Sequence, residues 1–211
     1  MTVVSSSSDD FPIPPADFKD RKIPIKELNL RVTPLLRIHR SKNDPVFFNR
    51  PKTTGTRYRF DAPDDEFGVL YTAQSFDVCF AETVIRGRFE EGVLPLMIAE
   101  SELTSRSISS LVTTSGKKLV LADMTKLLLH LGIDTRISTT IDYRGPSLWS
   151  AEIYKHGMNF DGIYFLSRSG AGPSVAVFSR VALQAAGSSI SLLDWPALPG
   201  FLDRYEIGIA A

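Results

Sequence analysis

A single cysteine, Cys79, stands among the 211 residues. That excludes an internal disulfide and any zinc site built on several thiolates. Histidine is nearly as scarce: His39, His130 and His156 are too far apart for a ligand motif, so no metal is expected. An excess of one charge is missing as well. The 24 basic and 24 acidic side chains cancel, which argues against binding nucleic acid by bulk charge and leaves room only for a local basic pocket. No apolar run nears the ~20 residues a membrane-spanning helix needs. The first ten residues, with four serines followed by Asp9 and Asp10, lack the basic and apolar regions of a secretory signal. The expectation is a soluble cytoplasmic protein without membrane attachment or direct nucleic-acid contact. What the chain does hold is core material: 43% of it is hydrophobic and 13 residues are Phe. Its length suits one domain, or one domain with a tail.

The stretch 68–86 organises the rest. Val69-Leu70-Tyr71-Thr72-Ala73 is a short apolar run of strand formers. At Ser75 the pattern changes: serine is a good N-cap and Asp77 suits the positive end of a helix dipole. Residues 76–86 then read as a helix ended by Gly87. Within it Glu82 lies three or four residues from Val78, Cys79 and Ile85, so its carboxylate is not expected to be freely solvated. A strand turning into a helix, with Tyr71 and Glu82 near the junction, is the leading site candidate.

Around this unit, residues 1–18 read as disordered or loosely draped, being rich in Ser, Asp and Pro, and 24–32 as a connecting segment. Residues 35–40 read as a strand with Leu36 and Ile38 on one face and Arg37 and His39 on the other. Residues 41–65 form a long loop in which Arg50, Lys52, Arg57 and Arg59 alternate with Phe47, Phe48, Tyr58 and Phe60; aromatic content at that length favours an ordered, functional loop. Further strands are expected at 92–99, 162–167 and 174–178, with a pair at 108–112 and 118–122 turning around Gly116. Asp123 or Thr125 caps a short helix through His130 that Gly132 stops. Pro146 and Gly157 bracket another, with Trp149 and Ile153 inward. The tail from Trp195 to Ile209 reads as packed and partly helical. Mixed rather than alternating elements imply one α+β (mixed α/β) domain around a twisted central sheet. Gly170-Ala171-Gly172 reads as a turn between strands, and Cys79 as an inert core thiol.

Six fragments then occur in one order: Leu36-Arg37-Ile38-His39-Arg40, Arg59-Phe60-Asp61, Gly68-Val69-Leu70-Tyr71-Thr72-Ala73, Phe80-Ala81-Glu82-Thr83, Trp149-Ser150-Ala151 and Gly162-Ile163-Tyr164-Phe165-Leu166-Ser167-Arg168. Together they resemble the RES-domain family, named for an arginine, a glutamate and a serine, whose members are commonly toxins of two-gene toxin–antitoxin modules. The resemblance covers roughly residues 34–180. It implies a fold like that of ADP-ribosyltransferases over 34–211, with 1–33 as tail and connecting segment. It also implies consumption of NAD as a substrate rather than a cofactor, with inorganic phosphate as acceptor in an NAD phosphorylase reaction. Transfer of ADP-ribose to a protein, or hydrolysis, are the alternatives. The implied partner is an antitoxin of the helix-turn-helix, Xre type. The family arginine falls on Arg37, with Arg40 as rival; a second falls on Arg59, with Arg57 as rival. The aromatic falls on Tyr71, the glutamate on Glu82 and the serine on Ser167.

The chemistry agrees with these placements. Breaking a nicotinamide–ribose bond passes through an oxocarbenium-like state, which Glu82 can stabilise. A diphosphate calls for the fixed, bidentate cations of Arg37 and Arg59, with Ser167 as a further donor. Tyr71 can hold the nicotinamide or its ribose. An acceptor phosphate needs a further basic residue, for which Arg40, His39 and Arg57 are candidates. The plain alternatives are a solvated or ion-paired Glu82, an edge cation at Arg37, a core aromatic at Tyr71 and a structural His39. On those readings the arginine-rich loop is a non-enzymatic docking surface.

Overall fold

A computed structural model describes residues 13–88, 96–131, 137 and 140–210. Its main sheet has nine strands: β1 (Ile25–Leu28), β2 (Leu35–Arg40), β3 (Val69–Ala73), β5 (Arg106–Thr113), β6 (Leu119–Asp123), β7 (Gly162–Leu166), β8 (Pro173–Phe178), β9 (Leu183–Ala185) and β10 (Ile190–Ser191). The order is β1-β6-β7-β8-β3-β2-β5-β10, with β9 also on β5. Only β6 and β7 run parallel; all other pairs in this sheet are antiparallel. A parallel pair needs a long crossover. Helices α4 (Met124–Leu131) and α5 (Arg144–Lys155) lie in the one between β6 and β7. A small second sheet pairs β4 (Met97–Ala99) with β11 (Gly208–Ala210). The mixed α/β single-domain architecture read from the sequence is therefore what the chain forms.

A core with Leu70, Leu121, Val175 and Val177 lies on one face of the sheet, and two more share the opposite face, to which Val69 and Ala73 of β3 both point. One gathers Phe60, Phe67, Trp149, Ile153, Phe160 and Phe178 under α5. The other packs α2 (Phe76–Phe80) and α6 (Leu198–Arg204) through Phe76, Phe80 and Phe201. Asp123 caps α4 as expected: its Oδ1 accepts from the Thr125 N–H at 3.1 Å. Gly162 allows close strand approach, since a Cβ there would lie 2.1 Å from the Ala176 carbonyl oxygen.

Four expectations are corrected. The strands at 106–113 and 119–123 do not form a hairpin; β5 has β2 on one edge and β9 and β10 on the other, while β6 lies between β1 and β7. A turn at Gly116 specifies a reversal but not which edges then pair. The connecting segment at 24–32 contains β1, which extends the sheet beside β6. Phe18, placed in the loose tail, is 1% exposed and packs edge-on against Trp149 at 5.2 Å. Ser75 occupies the N-cap position with extended backbone but makes no side-chain capping bond. The expected disorder at 1–12, the first part of the strand at 92–99 and the helix stop at Gly132 lie outside the described residues. Among the described residues no helix is long and apolar enough to cross a membrane.

Candidate active site

The site lies where β2 and β3 part. They pair only at Leu36↔Ala73; beyond it β2 keeps β5 as partner and β3 keeps β8. Where the two strands part lies a cavity of about 750 Å³, walled by residues of β2, β3, the 41–65 loop, and the turn after α2. Arginines 37, 40, 57, 59, 86 and 106 line it, against two carboxylates, Asp44 and Glu82. In a chain without net charge, this concentration of positive charge marks an anion site.

Glu82 sits in a π-helical turn, Ala81–Ile85, that continues α2. Such turns insert one extra residue into a helix and concentrate at functional sites. The side chain is 19% exposed, and its Oε2 lies 3.9 Å from Arg86 Nη1, one turn on. Its Oε1 accepts a 2.5 Å hydrogen bond from Ser167 Oγ. Ser169 supports this contact: its Oγ lies 2.5 Å from Ser167 Oγ, and its N–H donates to the same oxygen at 3.2 Å. Since Ser167 has one hydroxyl proton, which goes to Glu82, Ser169 is the donor in the serine pair. The turn carrying both serines closes through Ser167 N–H to Gly172 O at 2.9 Å. Gly170 and Gly172 have φ of 72° and 136°, values open to glycine and rarely to other residues.

Arg59 is 3% exposed. Its Nε and Nη2 are buried without a hydrogen-bond partner among the described residues. Burial, and then the neighbouring Arg86, push its pKa down, while Tyr143, Glu82 and Tyr71 oppose the fall. The backbone beside it is held rigidly. The Phe60 N–H donates to the Tyr71 hydroxyl at 2.8 Å. Ser150 and Ser147 of α5 donate to the carbonyls of Phe60 and Asp61, both at 2.6 Å. Tyr71 in turn donates to Asp61 Oδ1 at 3.1 Å. Asp61 Oδ2 accepts from the Tyr58 N–H and from Asn49 Nδ2, each at 2.7 Å. Burial raises the Asp61 pKa to about 6 against these stabilising bonds, and burial also raises that of Tyr71 well above its usual value. A backbone fixed in this way carries Arg59 into the cavity with little reorganisation when an anion arrives.

The rival arginines differ in their surroundings. Arg37 Nη1 donates to the carbonyls of Pro45 and Phe47 at 2.7 and 3.0 Å, and burial lowers its pKa to about 10, so it stays charged at neutral pH. Arg40 is exposed and donates to Ser105 Oγ. Arg57 is exposed and holds the loop through the carbonyls of Ala62 and Pro63. His39 is buried, with Nδ1 on the Arg40 carbonyl at 3.0 Å and Nε2 on Ser109 Oγ at 2.8 Å, an arrangement that uses both ring nitrogens within the sheet. The cavity thus brings together Arg37, Arg40, His39, Arg57, Arg59, Tyr71 and Glu82, with Ser167 joined through Glu82. Burial pushes the Cys79 thiol up to about 12, in keeping with an inert core residue.

Three residues were missed by sequence reasoning. Arg86, which donates to the Tyr143 hydroxyl, was signalled by its spacing of four from Glu82. Asp61 was visible only as part of a motif. Tyr143 had no signal, since it reaches the cavity from a distant part of the chain, at the start of α5.

A family model, the RES domain, matches residues 34–197. Among solved structures, the fold is similar to that in the crystal structure of the M. tuberculosis MbcT-MbcA toxin-antitoxin complex. The TM-score is 0.56 at 15% identity, over 76% of this chain and 85% of that one; at this identity the likeness concerns the fold alone. No curated protein matches the chain.

Proposed function

The chain belongs to the RES-domain family, and on that basis we propose that it cleaves the nicotinamide–ribose bond of NAD, with phosphate as acceptor, as the toxin of a toxin–antitoxin pair. One observation carries the reading: a cavity lined by six arginines holds Glu82 on its wall, oriented by Ser167. Ordinary glycoside hydrolysis uses two carboxyl groups because one must protonate the leaving oxygen. Nicotinamide leaves NAD without that need. The C1″–N bond breaks, its electron pair goes to the pyridinium nitrogen, and the base departs neutral. One carboxylate beside the ribose then suffices.

In this scheme Glu82 faces the ribose and stabilises the positive charge that develops at C1″. Ser167, backed by Ser169, fixes the rotamer of Glu82. Arg37 and Arg59 hold the phosphoryl groups of the dinucleotide, and the Tyr71 ring borders the ribose while its hydroxyl fixes the Arg59 backbone. Arg40 lies at the open end of β2. A phosphate oxygen forms the new bond to C1″, giving ADP-ribose 1″-phosphate. The similar structure is of a toxin–antitoxin complex, which supports an antitoxin partner for this chain; we assign it the helix-turn-helix, Xre type and the role of covering the cavity mouth in the cytoplasm.

Incubating the purified protein with NAD, with and without phosphate, and identifying products by mass spectrometry tests the reading. Phosphate-dependent ADP-ribose phosphate is expected. Plain ADP-ribose would replace the phosphorylase with a hydrolase. NAD left intact, but labelled protein formed in lysate, would replace it with an ADP-ribosyltransferase. No turnover in either setting would reject the enzyme.

A further inference from the structure

Arg59 and Arg86 both approach one aromatic ring. Their guanidinium carbons lie 5.7 and 5.9 Å from the centroid of Tyr143, and both residues line the cavity. Ring faces attract cations but supply no in-plane hydrogen-bond acceptor. Arg86 has the Tyr143 hydroxyl, and Glu82 at 3.9 Å. Arg59, though it also feels the Glu82 charge, has no hydrogen-bond partner among the described residues for two of its buried nitrogens, Nε and Nη2. Two guanidinia against the single carboxylate of Glu82 leave a net positive charge on a buried wall. Buried cations are normally paired, and an orphaned buried donor calls for a functional explanation.

We propose that Arg59 and Arg86 form a phosphoryl-oxyanion subsite immediately beside Glu82, filled by inorganic phosphate or by a phosphoryl group of the dinucleotide. A phosphoryl group presents several acceptor oxygens and up to two negative charges, so it can engage both forks at once. A carboxylate, with one charge and two oxygens, satisfies only one. The position also suits chemistry: an acceptor held here stands next to the carboxylate that faces the reacting carbon. Assigning the subsite to the acceptor rests on the NAD-cleaving reading above; the presence of the subsite does not.

The test titrates the full-length protein, as parent and as Arg86→Gln and Arg59→Lys variants, with two probes. Inorganic phosphate is followed by phosphorus NMR line broadening and ADP-ribose by calorimetry, with circular dichroism confirming that each variant is folded. The Arg86 side chain is 29% exposed, so its replacement tests the subsite without opening the core. Phosphate binding weakened about tenfold or more in both variants identifies the free ion as occupant. ADP-ribose binding weakened to that extent, with no phosphate binding to the parent, identifies the diphosphate. Both variants binding both probes as tightly as the parent, or a parent that binds neither, overturns the proposal. Phosphate binding by a parent that leaves NAD intact both alone and in lysate would reject the NAD-cleaving reading and keep the subsite; NAD turnover with unaltered binding in both variants would do the reverse.

Discussion

Replacing Glu82 by glutamine keeps its size and its acceptor for Ser167 but removes the charge that the proposed oxocarbenium-like state requires. NAD turnover is expected to fall by roughly 100-fold or more, while the melting temperature stays within about 3 °C of the parent. Turnover at the parent rate would remove Glu82 from the chemistry, and unchanged toxicity in cells would favour the docking-surface alternative. Asp61 acts through folding instead. Its carboxyl, at 0% exposure, has a pKa near 6 against an ordinary value of 3.8, so the folded state binds this proton more tightly than the unfolded chain. Its contribution to stability is fullest below about pH 4 and is lost as the pH rises through about 6. Acidifying from about pH 7 to about pH 5 should therefore raise the stability of the parent relative to an Asp61→Asn variant, measured by denaturant titration at each pH. A difference independent of pH would contradict the buried carboxyl.

At the scale of elements, the site depends on three devices: the π turn after α2, the glycine-closed turn after β7, and α5, whose Ser147 and Ser150 pin the backbone after Arg59. All three rest on a sheet whose strands approach closely at Gly162. A methyl group at that position would collide with the β8 backbone, which cannot move without breaking the ladder from Gly162↔Val177 to Leu166↔Pro173. Gly162→Ala is expected to cost about 2–3 kcal/mol, or roughly 4–10 °C in melting temperature. A thermal scan showing no loss would mean that β7 and β8 do not meet as described.

Across the whole molecule, charge is balanced in sum but not in place. The cavity wall carries six arginines against two acidic residues, in a chain with 24 of each sign. On the proposed reading, an anionic dinucleotide is drawn in by a local field that salt screens within about 10 Å at ~0.1 M. Raising sodium chloride from about 50 to about 500 mM should lower kcat/KM for NAD several-fold and leave the melting temperature almost unchanged. Insensitivity to salt would place substrate recognition outside the arginine-lined cavity. Residues 13–33 belong to this molecule-wide order too, because Phe18 closes the core over Trp149 and β1 extends the sheet.

Local pattern alone determined much of this protein. The strands at Leu35–Arg40, Val69–Ala73 and Gly162–Leu166, the helix after Ser75 and the buried Cys79 follow from periodicity and composition, which act over a few residues. The ordered fragments around Arg37, Arg59, Tyr71, Glu82 and Ser167 pointed to the family. Only the tertiary structure decided which strand edges pair, because strands 106–113 and 119–123 could each satisfy their hydrogen bonds with several neighbours. It also gave Arg37 and Arg40, and Arg57 and Arg59, their different surroundings, since arginines two or three residues apart differ in what their guanidinia meet and not in their local pattern. Tyr143 and the unpaired nitrogens of Arg59 were illegible for the same reason. A cavity wall is made of contacts between distant segments, and burial without a partner is a property of the folded chain.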